Sequence, residues 1–138
     1  MPDTDNTGAH LQIGEVAERT ALSIKTIRHY DEVGLVVPSA RSAGGFRLYT
    51  ADDIDRLLAI RRMKPLGFTL DEMRSLLESL AALDDPDATA TEKAAATDYL
   101  AGCHTRATQA CEKLSTQLDY ARELTAQLSE FAPDRDGR

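Results

Sequence analysis

The chain has 138 residues, enough for one small domain with an extension but not for two globular domains of ordinary size. No apolar run approaches the roughly 18 residues that a membrane span requires, and no signal-peptide pattern is present, so a membrane-embedded role is excluded and a cytoplasmic location is expected. The formal net charge of −7 argues against nucleic acid only when taken whole: residues 11–70 hold nine Lys/Arg against seven Asp/Glu, whereas residues 81–138 hold six against eleven.

Residues 1–10, MPDTDNTGAH, are polar and patternless and read as a disordered tail. Ile13, Val16 and Ala17 then recur at helical spacing, and Leu22 follows after a break. Ser23 is a good N-cap for a second helix, in which Ile24, Ile27 and Tyr30 or Asp31 fill alternate turns. Lys25, Thr26, Arg28 and His29 lie between these positions and must point the other way. An apolar inner face with a Lys/Thr/Arg/His outer face is what a helix needs to enter a major groove. Gly34 supplies the C-terminus of this helix, and Pro38 forbids its continuation.

Arg41, Gly44, Gly45, Phe46, Arg47 and Tyr49 predict a hairpin tip between two short extended pieces. Arginines there can bond phosphates bidentately, and a flat ring can pack on the sugar-phosphate backbone. Helix, turn, helix and wing together predict a winged-helix reader of double-stranded DNA. Thr50 then caps a helix that opens Ala51-Asp52-Asp53, placing acids at the positive end of the dipole. Ile54, Leu57, Leu58 and Met63 form its inner stripe, with Arg56, Arg61, Arg62 and Lys64 outside. Pro65 and Gly67 break it. Thr69-Leu70-Asp71-Glu72 is a capping box for a further helix with Leu70, Met73, Leu76, Leu77 and Leu80 as its core face. The stripes of residues 13–80 are expected to form a self-sufficient core.

Asp84-Asp85-Pro86-Asp87 is a turn and the expected domain boundary. From 88 to 131 there is no proline, and a seam runs through Leu100, Cys103, Ala107, Ala110, Leu114, Gln117, Ala121, Leu124, Leu128 and Phe131, reinforced by Leu118. Such a helix would be a rod of about 60 Å. It cannot bury its stripe on itself and so needs a partner. Residues 132–138 read as a polar tail.

TIRHYDEVGLV, PSARSAGGFRLYTADDIDRL and LGFTLDEMRSLL, in this order and spacing, resemble the MerR family of bacterial transcription regulators over about residues 12–83. The resemblance implies a mainly α chain: a winged helix-turn-helix DNA-binding domain at 11–83, then a dimerisation helix at 88–131 that pairs in an antiparallel coiled coil. It implies a short form without a C-terminal ligand domain, not an enzyme, with no cofactor. Its partners would be a second copy, an inverted-repeat promoter site and RNA polymerase at that promoter. Lys25 and Arg28 match the family pattern on the recognition helix, and Arg41, Arg47 and Tyr49 match it on the wing. Phe46 stands where the family commonly has tyrosine, keeping the ring and losing a hydroxyl. His29 replaces a common aromatic, and Pro65 is unusual at its position.

The implied action is distortion of an over-long promoter spacer, an indirect use of DNA deformability. A plain repressor or architectural binder is the alternative within the class, and a coiled-coil adaptor with a degenerate wing the alternative outside it. Cys103, His104 and Cys111 raise a further alternative, a metal- or thiol-redox-sensing regulator. On one helix, however, Cys103 and Cys111 stand about 12 Å apart along the axis, beyond disulfide reach of about 7 Å between Cα atoms. Small metal-responsive relatives carry ligands near the start of the dimer helix and beyond its end, and both regions lack them here. The expectation is that both thiols are structural, with no resident metal; the effector is not legible.

Overall fold

The computed structural model describes residues 10–133, so the two expected tails lie almost entirely outside the described residues. A two-residue strand, β1 (Leu11–Gln12), leads directly into helix α1 (Ile13–Thr20). Helix α2 (Ile24–Glu32) follows, then strands β2 (Ala40–Arg41) and β3 (Arg47–Tyr49). Helix α3 (Ala51–Met63), a 3-10 turn (Lys64–Leu66), helix α4 (Leu70–Asp84) and helix α5 (Ala90–Leu128) complete the chain, with a last 3-10 turn at Ser129–Phe131.

Local chemistry sets these boundaries. Between α1 and α2 the chain reverses at Ala21, whose φ of +58° is left-handed despite its side chain. Buried Thr20 supports that turn: its hydroxyl donates to the Val16 carbonyl at 2.8 Å and accepts from the Leu22 amide at 3.3 Å. Ser23 caps α2 through the Thr26 amide, at 3.0 Å. Gly34 ends that helix with φ +75°, which a side chain would oppose. Three further helices, α3, α4 and α5, open on capping boxes built from Thr50 and Asp53, Thr69 and Glu72, and Thr89 and Glu92.

The small sheet has order β1-β3-β2, both pairings antiparallel. Leu11 pairs with Tyr49, and Arg41 with Arg47. The wing was expected as two extended pieces; β1 is the addition, recruited because it precedes α1 and shares its packing. Below the sheet, Val16, Ile27, Val36, Tyr49, Leu57 and Ile60 are fully buried in one core.

Three expectations need correction. The inner stripe of α3 runs through Asp53, Leu57, Ile60 and Met63, while Ile54 and Leu58 are half-buried. On α4 only Met73 is fully buried, and Leu80 is exposed. The largest change concerns α5, whose first turns belong to the domain core and not to a separate rod. Ala96 and Cys103 are buried, and Tyr99 packs against the same cluster. The Tyr99 hydroxyl donates to the Glu72 carbonyl at 3.3 Å, and Arg106 pairs with the Glu72 carboxylate at 3.0 Å while lying 4.7 Å above the Phe68 ring. The core therefore extends past 13–80, and Cys103, placed in the intersubunit seam by its spacing, is instead covered largely by its own chain.

Candidate nucleic-acid interface

Helix α2 presents Lys25, Arg28 and His29 to solvent, with Thr26 half-buried between them. Ile27 and Tyr30 hold the opposite face in the core, so the helix cannot rotate about its axis without unburying both. The Thr26 hydroxyl accepts from Ser23 at 2.9 Å, which engages it in the helix start. Of Tyr30 and Asp31, which spacing left as alternatives for one turn of the inner face, Tyr30 is the one in the core.

The wing stands beside this helix for an electrostatic reason. Asp31, on the last turn of α2, accepts from Arg47 Nε at 2.6 Å and from Arg41 Nη2 at 3.2 Å. One carboxylate with a side chain only 9% exposed thus clamps both strands of the hairpin to the helix. The clamp favours the charged Arg47 guanidinium further, through the Asp31 hydrogen bond against a smaller effect of burial. Arg41 also donates to the Gly45 carbonyl at 3.4 Å, closing the tip. Gly45 has φ +84°, and Phe46 beside it is 69% exposed. An aromatic ring so exposed at a hairpin tip has the form needed to lie against a sugar-phosphate backbone.

These groups flank α2 on both sides. Arg28 shares a depression with Phe46 and Arg47, while Lys25 and His29 share an open cleft with Lys64 at the α3–α4 corner. Lys64 was read only as an outward residue of α3. Its place in the cleft depends on the 3-10 turn that Pro65 and Gly67 impose, and spacing alone does not carry that geometry. Asp31 was read as a filler of the helix. Its signal was present as an acid near two wing arginines, but only the fold brings residues 31, 41 and 47 together.

Tyr49 is a correction. The ring is fully buried and its hydroxyl, with no hydrogen-bond partner among the described residues, lies inside the domain. It cannot serve the wing as a backbone contact in this conformation. Burial, with the nearby Asp31 charge adding to it, raises its pKa above the usual tyrosine value, so the hydroxyl stays protonated.

Asp53 anchors the other end of the wing. It is fully buried, accepts from the Ser39 amide and hydroxyl at 2.9 Å each and from the Thr50 amide at 3.0 Å, and pairs with Arg56. Burial pushes its carboxyl up, but the bonds from Thr50 and Ser39 and the Arg56 charge outweigh burial and hold it below the usual range. Sequence spacing marked Asp53 only as a dipole acid. Arg61, read as outward, is likewise engaged: it donates to the Thr20 carbonyl, as the α4 residue Arg74 does to that of Val33, both at 2.7 Å.

Both cysteines are free thiols, Cys103 buried and Cys111 exposed. Within one chain they do not share a site, and no cluster of three potential metal ligands occurs among the described residues. No helix among those residues is long and apolar enough to cross a membrane.

The family described as MerR HTH family regulatory protein matches residues 11–80, and that described as MerR, DNA binding matches residues 54–130. The chain is 35% identical to the HTH-type transcriptional regulator CueR of Vibrio cholerae over 121 residues, covering 88% of this chain and 78% of that protein. Among solved structures it is similar to the transcription regulator PbrR691 of Ralstonia metallidurans in complex with lead(II), at 34% identity and TM-score 0.51 over 91% of this chain and 90% of that one. It also shares the fold of HiNmlR, a regulator lacking the sensor domain and bound to promoter DNA, at 21% identity and TM-score 0.66 over 87% and 84% of the two chains.

Proposed function

Since this chain belongs to the MerR family of DNA-binding transcription regulators, we propose that it acts as a homodimer on an inverted-repeat promoter site, one winged helix per half-site. The observation that carries the reading is the Asp31 clamp. It holds a wing with an exposed ring and two arginines at a fixed angle to a helix whose cations face outward.

In this reading Lys25, Thr26, Arg28 and His29 enter the major groove, where Arg28 and Lys25 meet base edges or flanking phosphates. Arg41, Phe46 and Arg47 lie along the backbone, and Lys64 adds a phosphate contact from the opposite flank. The few cations available make the contact count small, so affinity rests on two heads acting together. Two heads at a fixed separation on a promoter with an over-long spacer can align its two elements by bending and untwisting it, with the energy supplied by binding.

Footprinting on genomic promoter fragments, with affinity measured across salt concentration, tests the proposal. A two-half-site footprint over the spacer, with log K falling linearly in log salt, supports it. A single half-site footprint, or binding insensitive to salt, overturns it. Metal or thiol sensing through Cys103, His104 and Cys111 has less support, because Cys103 is closed by its own core. Replacing both cysteines with serine should leave promoter output responsive to the native signal.

A further inference from the structure

Phe68 is part of the wall of two cavities. One is the cleft of about 390 Å3 in which Lys25 and His29 of α2 meet Lys64; the other is an open apolar groove of about 300 Å3 between α3, α4 and the start of α5. From α5 the Arg106 guanidinium lies 4.7 Å from the centroid of the Phe68 ring. It also forks onto the Glu72 carboxylate, Nη2 to Oε1 and Nη1 to Oε2, each at 3.0 Å. Glu72 Oε1 in turn accepts from the Thr69 amide at 2.8 Å, the bond that caps α4. Between Met63 and Phe68, both buried, runs the 3-10 turn Lys64–Leu66, none of whose residues is fully buried. The placement of Lys64 therefore depends on how well the two ends of its turn are anchored, and Arg106 holds one of them.

We propose that Arg106 is a positioning residue for DNA binding: from α5 it fixes Phe68 and the start of α4, and through them the Lys64 ammonium beside Lys25 and His29. The inference rests on the reading above in which Lys64 contacts a phosphate, and it assigns no DNA contact to Arg106 itself. A guanidinium is planar and permanently charged, so one side chain can cover a ring and bond a carboxylate at two points. Those two holds act on Phe68 and Glu72, four residues apart at the entry to α4. Lys64 ends in a compact charge on a flexible stem, so its phosphate contact is strongest when the backbone beneath it is already ordered. Once Arg106 is removed, ordering the turn opposes that contact. The Arg106–Glu72 pair is part-exposed, with side chains 46% and 33% accessible, and a pair so placed adds little to stability. The effect belongs to DNA affinity and not to melting.

The test uses the full chain and a promoter fragment located by footprinting, with affinity measured across salt for Lys64→Ala, Arg106→Ala and the double variant. Lys64→Ala should lower the salt slope by about one per half-site. Arg106→Ala should weaken binding about threefold to tenfold and lower the slope in the same direction, although it removes no phosphate contact of its own. In the Lys64→Ala background, Arg106→Ala should then have no further effect. Arg106→Lys, which keeps the charge, should restore part of the affinity. Glu72→Gln keeps an acceptor for the Thr69 amide but loses the charge, and should reproduce part of the loss. Melting and sedimentation at the assay concentration should match wild type for Arg106→Ala and Glu72→Gln. Equal losses with and without Lys64 overturn the proposal, because Arg106 would then act independently of it. Wild-type affinity and slope in Arg106→Ala overturn it as well, as does a loss that tracks unfolding or a change in assembly in both Arg106→Ala and Glu72→Gln. A wild-type slope in Lys64→Ala alone overturns the phosphate reading of Lys64 and the inference with it, and that single variant tells this failure from the others.

Discussion

Single carboxylates decide how the candidate interface is held. Asp31 ties the wing to α2 and Asp53 ties the entry of the wing to α3, so the hairpin is fixed at both ends by charge-assisted hydrogen bonds. Arg47 reaches Asp31 through Nε, and its two Nη groups make no hydrogen bond among the described residues. Arg47→Ala should therefore weaken binding to all DNA sequences together and reduce the salt slope by about one. Weaker binding with the slope intact would mean that Arg47 only positions the wing. Tyr49→Phe separates core from contact. It should leave DNA affinity and salt slope unchanged and raise stability by about 1 kcal/mol, because it removes a buried hydroxyl that lacks a partner. A loss of affinity would return Tyr49 to the interface. Asp53→Ala strands the Ser39 and Thr50 donors and should cost on the order of 2–3 kcal/mol. Because the folded carboxyl is held below its ordinary value, its stabilisation is present above the ordinary carboxylate range and is lost as pH falls through the lowered value. Wild-type melting temperature should thus drop more steeply than that of Asp53→Ala in the acid range, and parallel acid curves would remove Asp53 from the account.

Helix α5 is one element with two environments. Its first turns, through Tyr99, Cys103 and Arg106, cover α4 and Phe68, and only the remainder projects. A boundary drawn at the Asp84–Asp87 turn therefore cuts through the core. Truncation after Asp87 should lower stability by about 3 kcal/mol or more, since burying one large side chain contributes about 1.5–3 kcal/mol. Truncation after Thr108 keeps those contacts and should give a folded monomer. Thermal melts and sedimentation of the two fragments decide between them, and equal melting points would show that α5 adds nothing to the domain.

At the scale of the whole molecule, the proposed homodimer joins two heads through α5 and so demands a fixed separation of half-sites. Inserting about five base pairs, half a helical turn, between the half-sites turns them to opposite faces of the duplex. High-affinity binding should then fall to that of an isolated half-site, whereas inserting a full turn should restore part of it if the dimer can stretch. Binding indifferent to the half-turn would show heads that swing independently. The placement of charge reconciles an acidic chain with a polyanionic partner. The excess of acid falls in residues 81–138, apart in the chain from the cations of α2 and the wing.

The sequence by itself determined what depends on neighbours along the chain. Serine and threonine caps started α2, α3 and α4, glycine and proline ended α2 and α3, and the spacing of apolar residues identified α1, α2 and the long α5. The outward cations Lys25, Arg28 and His29 follow from that same period, since an apolar inner face leaves them one direction to point. Only the tertiary structure decided the contacts between distant segments: Asp31 with Arg41 and Arg47, Asp53 with Ser39, the pairing of β1 with β3, and Lys64 beside Lys25. Tyr49 and Cys103 show why. Both sit at positions where local pattern permits a surface or seam role, and burial is a property of what packs on them from elsewhere. Periodicity states which side of an element is apolar; it carries no information on which other element covers that side, because that choice is made by the joint packing of all of them.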